Sequence, residues 1–166
     1  MGRQKQKKYS IQGSQSRTRK ALKKACKQQK KQSMVKTTDK TSELVAVYGT
    51  LLTNCYNNGY LRNANLEGEF WTEPVFQMFS CTGGAYPYLL ENGHTSVKME
   101  VYSFDNDSKL EESLDRLEGV SSGLYVKGKI KTPHGEALLY IRKTKMTASN
   151  CQITTGSWKE FKTIGS

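Results

Sequence analysis

The chain has 166 residues, enough for one ordinary domain and too few for two comfortable ones. Its 26 Lys and Arg against 15 Asp and Glu give a formal charge of +11, with only four cysteines and two histidines. With no C-x-x-C pair, and neither His94 nor His134 at ligand spacing from a cysteine or an acid, a transition-metal site, a disulfide framework and a Ser-His-Asp relay are all disfavoured. Neither metal nor cofactor is expected, and any chemistry falls to carboxylates, tyrosines and backbone amides.

In chain order, the basic excess comes first. Residues 1–40 hold 14 Lys or Arg against the single acid Asp39, whereas residues 41–166 hold 12 basic and 14 acidic residues. Residues 1–42 read as a disordered basic tail, too poor in apolar side chains to offset the entropy of ordering them, and residues 43–166 as the folded domain. Within the tail, Ala21, Leu22, Ala25 and Cys26 fall at helical spacing among lysines, a stretch that could become helical on a nucleic acid or an acidic surface. A solubilising or localising role is the plainer alternative. No apolar segment follows the basic start as a signal peptide requires, and Gln6 stands where myristoylation needs Ser or Thr. No run of 18 apolar residues exists, so no membrane span is expected, and the scattered cysteines suit a reducing, cytoplasmic setting.

The body opens on "ELVAVYGTLL", a continuous apolar run halted by Gly49, which predicts a strand buried on both faces that breaks into a tight turn. The Asn- and Gly-rich "TNCYNNGYL" follows as a loop or a helix start. Short β-branched and aromatic runs come next: "GEFWTEP", "VFQMFS", "VKMEVYSF", "YVKGKIKT" and "EALLYIRK". The turn signals "TGGAYP", "ENGH" and "TPHGE" stand between them. The domain reads as mostly β with few helices.

"DNDSKLEESLDRLEG" is the clearest helix. Ser108 can cap it with Glu111 three residues on, Leu110, Leu114 and Leu117 share one face, and Gly119 is a natural stop. Glu118 closes the last turn at the border of the apolar stripe. Both the helix dipole and partial desolvation should raise its pKa, which is how a general base is made. It could equally be one more solvated helix acid, like Glu111, Glu112 and Asp115, and spacing alone does not separate these readings.

The motifs "VAVYGTLL", "TEP", "GGAYPYLL", "MEVYSFD", "LDRLEGVSSGLYV" and "TTGSW", in that order, resemble the gamma-glutamylcyclotransferase-like family over residues 44–160. The resemblance implies an α+β fold: a small mixed β-barrel with a few helices packed outside it and a cavity at one side. It also implies that backbone amides at Tyr48, Gly49, Thr50 and Leu51 bind substrate, and that Glu118 is the catalytic acid/base. Tyr125 would orient the substrate or Glu118, or else simply be a half-buried strand tyrosine. Tyr140 reads more readily as packing, Gly83, Gly84 and Pro87 as a turn beside the cavity, and Trp158 as a plug at the barrel's end. Three positions depart from the family pattern. Leu52 and Asn54 replace a basic residue and a glycine after "YGTL", and Met99 replaces a glycine, so the pocket's size turns on them. A short basic chain of this kind would suit a virus-encoded member, placing it in a host cytoplasm.

The implied reaction needs no external nucleophile. In a gamma-glutamyl amine or amino acid the substrate's own α-amine attacks the γ-carbonyl, closing 5-oxoproline and expelling the amine. Two alternatives stay open: a module that binds a small ligand in the same pocket without turnover, and a nucleic-acid-associated protein acting through its tail.

Overall fold

A computed structural model describes residues 42–106, 109–145 and 151–164. The basic tail and the partners expected for it lie outside the described residues, as does the expected cap Ser108.

The predicted double-sided strand is β1 (Ser42–Val47), whose Val45, Ala46 and Val47 are buried. It is apolar because it is central. β5 (Lys98–Asp105) pairs antiparallel with its whole length, from Ser42 opposite Asp105 to Val47 opposite Glu100. β7 (Gly135–Ile141) runs parallel on its other side, with Val45 opposite Leu138. β2 (Asn65–Trp71) and β6 (Val126–Thr132) complete a five-stranded sheet in the order β2-β5-β1-β7-β6. β6 reads as an edge strand because Lys127, Lys129 and Lys131 alternate outward against Val126 and Ile130. β3 (Phe76–Ser80), β4 (Pro87–Glu91) and the short β8 (Cys151–Gln152) form a second sheet in the order β4-β3-β8. α1 spans Leu110–Leu117 and α2 Trp158–Ile164. Met78, Tyr88, Leu89, Met99 and Leu114 fill the core between these layers.

The fold is α+β, as expected, but the barrel does not close. β7 is flanked by β1 and β6, so its ladder groups are already engaged. Among the described residues the backbone bond that joins β4 to it lies just past its last residue, where the N–H of Arg142 donates to the carbonyl of Leu89 at 2.9 Å. The result is two sheets meeting at a seam, with β2 and β6 left as the edges of the larger one. Trp158 does pack as expected, buried at the start of α2 and stacked on Phe161 with ring centroids 5.5 Å apart.

One acid is built into this core. Glu100, 2% exposed, accepts hydrogen bonds from the N–H of Thr53 at 2.7 Å, the Thr53 hydroxyl at 2.9 Å, the Tyr102 hydroxyl at 2.9 Å and Lys159 Nζ at 2.8 Å. It ties α2 and the segment after β1 to β5. Burial alone would raise its pKa, but the bonds from Lys159, Thr53 and Tyr102 outweigh burial and hold the carboxyl below its ordinary 4.5. This stabilisation is present in full above the unfolded-state pKa and is lost as pH falls through the lower folded-state value. Glu100→Gln should cost about 2 kcal/mol at pH 7, as expected for losing charge-assisted bonds while their donors persist. The loss should narrow as pH drops below about 4, which denaturant midpoints of the two proteins at pH 7, 5, 4 and 3 would measure.

Candidate active site

α1 forms because its leucines face the core: Leu114 is fully buried, with Leu110 and Leu117 packed beside it. The chain then turns sharply. The N–H of Glu118 donates to the Leu114 carbonyl at 2.8 Å, and Gly119 adopts a left-handed φ of 62° while its N–H donates to the Arg116 carbonyl at 3.2 Å. A side chain at residue 119 would be strained by that φ and would bring its Cβ within 2.7 Å of Leu124 Cδ1. The reversal leaves Glu118 lining a cavity of about 280 Å³. Among the described residues nothing hydrogen-bonds to its carboxyl, and burial raises the carboxyl's pKa from 4.5 to about 7.

The turn after β1 contributes to the same lining. Tyr48, Gly49, Thr50 and Leu51 all line the same cavity. The carbonyls of the last three are already engaged: Gly49 O accepts from Leu52 N–H at 3.0 Å, Thr50 O from Asn57 N–H at 2.9 Å, and Leu51 O from Asn58 Nδ2 at 2.8 Å. Among the described residues no acceptor engages the N–H groups of Gly49, Thr50 and Leu51. Three successive unengaged N–H groups make a concavity suited to an anion. Gly49 is needed there for space, since a Cβ would fall 2.6 Å from Pro87 Cγ.

Tyrosines complete the lining. Tyr125 lines the cavity and donates to the Pro87 carbonyl at 3.3 Å; Tyr48 donates to the Tyr140 carbonyl at 2.8 Å. Tyr140, read from the sequence as a packing residue, is buried and lines the cavity as well. Its hydroxyl donates at 2.7 Å to Asp115, which Lys127 holds at 2.9 Å. Burial above all, and then neighbouring acidic groups, raises the pKa of all three phenols, so they remain protonated donors across the neutral range.

Every site residue anticipated from the sequence therefore stands on one wall or another of this cavity. Pro87 joins them, whereas Gly83 and Gly84 border a separate hollow with Cys81 and Phe161. Asn57, Tyr86, Leu124 and Arg142 were not anticipated and also line it.

The sequence model of the family described as gamma-glutamyl cyclotransferase, AIG2-like, matches residues 45–160. The chain belongs to this family. A Vibrio cholerae protein provisionally assigned as a gamma-glutamylcyclotransferase is 39% identical over 115 residues, which cover 69% of this chain and 94% of the relative. A gamma-glutamylcyclotransferase family protein of Citrobacter rodentium is 32% identical over 114 residues, 69% of this chain and 93% of that one. The crystal structure of an uncharacterized protein from Pyrococcus horikoshii superposes with a TM-score of 0.61 at 28% identity, covering 74% of this chain and 95% of the other. Within this gamma-glutamyl cyclotransferase family, the three departures noted from the sequence lie away from the cavity. Leu52 and Met99 are buried in the core, and Asn54 adopts a φ of 65°, the left-handed region that Asn tolerates best after Gly.

Proposed function

We propose that the protein is a cyclotransferase that releases 5-oxoproline from gamma-glutamyl compounds, with Glu118 as the acid/base and the Tyr48–Leu51 turn as the anion receptor. The observation that carries this reading is one cavity lined both by a carboxyl that burial raises to a pKa of about 7 and by a turn with three N–H groups, none of these groups hydrogen-bonded among the described residues.

The α-nitrogen of the substrate attacks its own γ-carbonyl carbon, forming the C–N bond of the lactam as the bond to the departing nitrogen breaks. The α-ammonium begins with three protons and ends as a lactam N–H, while the departing nitrogen gains the other two. Glu118 carries protons from the first nitrogen to the second. Holding the two reacting atoms of one molecule together can supply an effective molarity on the order of 10⁵ M or more. The turn amides receive the α-carboxylate, fixing the amine beside Glu118. A cavity of about 280 Å³ suits a small ligand of this size.

The test is incubation with gamma-glutamyl amino acids, gamma-glutamyl amines and glutathione while 5-oxoproline is measured; no release from any of them would end the proposal. The pH dependence is equally specific. Because the base must be deprotonated, kcat/KM should be level above about pH 7 and fall about tenfold per unit below it, rather than holding down to the ordinary carboxylate pKa of 4.5. A rate profile from pH 5 to 9 with a stable gamma-glutamyl amide measures this, and an acid limb centred near 4.5 would remove Glu118 from the role.

A further inference from the structure

Arg142 sits just past β7 and lines the cavity, the only Lys or Arg to do so among the described residues. Its guanidinium carbon lies 5.6 Å from the centre of the Tyr88 ring and 5.5 Å from that of Tyr125. Its Nε is buried without a hydrogen-bond partner, and no ion pair joins it to a carboxylate among the described residues. Buried donors in native proteins are nearly always satisfied, so an orphan on the wall of a cavity points to a ligand acceptor. Flanking aromatic rings hold the planar fork in place, and such a fork matches a carboxylate with two parallel N–H···O bonds.

A gamma-glutamyl amine offers the cavity one carboxylate and one ammonium, and on the function proposed above the turn amides and Glu118 already serve both. We infer that Arg142 binds a second carboxylate carried by the leaving group, so that the protein prefers gamma-glutamyl amino acids or peptides over gamma-glutamyl amines lacking an acid. This rests on the cyclotransferase reading.

The α-carboxylate is the competing partner for Arg142, and the chemistry argues against it. That group is one carbon from the α-amine, so its receptor must lie close to the carboxyl that takes the amine's proton. Among the described residues Arg142 makes no ion pair with Glu118. The guanidinium is therefore not engaged by the carboxyl that takes the amine's proton, and it is left for the acid on a departing amino acid.

The test compares gamma-glutamyl-L-alanine with gamma-glutamylethylamide, which has the same side of the scissile bond but no second acid, in wild type, Arg142→Met and Arg142→Lys. Wild type should favour the alanine compound by about 10- to 100-fold in kcat/KM, the discrimination expected of a charge-assisted pair. Arg142→Met should bring the ratio within about threefold, with Arg142→Lys between them because it keeps the charge and loses the fork. The ratio is taken within one protein, so damage to folding cancels. No preference in wild type, or an equal fall on both substrates in Arg142→Met, overturns this inference while leaving the cyclotransferase reading intact. Absence of 5-oxoproline from both compounds in wild type overturns the two together.

Discussion

Glu118→Gln is expected to lower kcat for 5-oxoproline release by about 10²- to 10⁴-fold, the usual worth of a positioned acid/base. The fold should be untouched. What Glu118 contributes to the helix end is its N–H bond to Leu114, which any residue supplies, and its carboxyl makes no hydrogen bond among the described residues. Because burial penalises its charged form, the neutral amide should leave the melting temperature at pH 8 unchanged or slightly higher. Loss of rate with retained stability is the signature of a chemical role. Turnover within about threefold of wild type would show that another group moves the proton.

Gly49→Ala should lower kcat/KM by about 10²-fold through geometry alone, since displacing binding groups by a fraction of a bond length is that costly. The new Cβ would meet Pro87 Cγ at 2.6 Å and Cδ at 2.9 Å, and the proline ring is buried at the start of β4. The turn must retreat, taking its unengaged N–H groups with it, at a stability cost of about 1–3 kcal/mol. Gly59→Ala is the control: its Cβ would meet nothing within 4 Å, and both stability and rate should hold. Kinetics and denaturant melts of the two variants measure the contrast. Equal behaviour of both would mean that the turn's position does not matter to catalysis.

Much of this was legible in the sequence, for reasons that can be named. α1 announced itself through Leu110, Leu114 and Leu117, and its end through Gly119, because one local period decides both burial and reversal. β1 was legible because a strand buried on both faces is apolar throughout. β4 was concealed: it begins at Pro87, directly after a glycine-rich turn, and the whole stretch read as punctuation, although Pro is compatible with a strand's first residue. α2 was missed despite a capping pair, Ser157 and Glu160; the N–H of Glu160 donates to Ser157 Oγ at 3.3 Å, and a search for that spacing would have found the helix. Barrel closure was an inference from resemblance, and which strands meet at a seam depends on backbone pairing that no local pattern encodes.

Arg142 and Glu100 were illegible for a different reason. An arginine after an apolar strand looks like the strand's solvent end, and a glutamate in "KMEVYSF" looks like the polar half of an alternation. Only partners distant in sequence reverse these readings: Leu89, Tyr88 and Tyr125 for the first, Thr53 and Lys159 for the second.

The hollow draws its walls from residues scattered between 46 and 142, contributed largely by two sheets that, among the described residues, share a backbone bond only where Arg142 meets Leu89. No short contiguous fragment of the chain can contain it. A collapsed intermediate with every helix and strand in place but those sheets slightly splayed would look native by far-ultraviolet spectroscopy and have nowhere to hold a ligand. On the proposed function, turnover thus doubles as a gauge of long-range order, sensitive to loosening that secondary structure does not register.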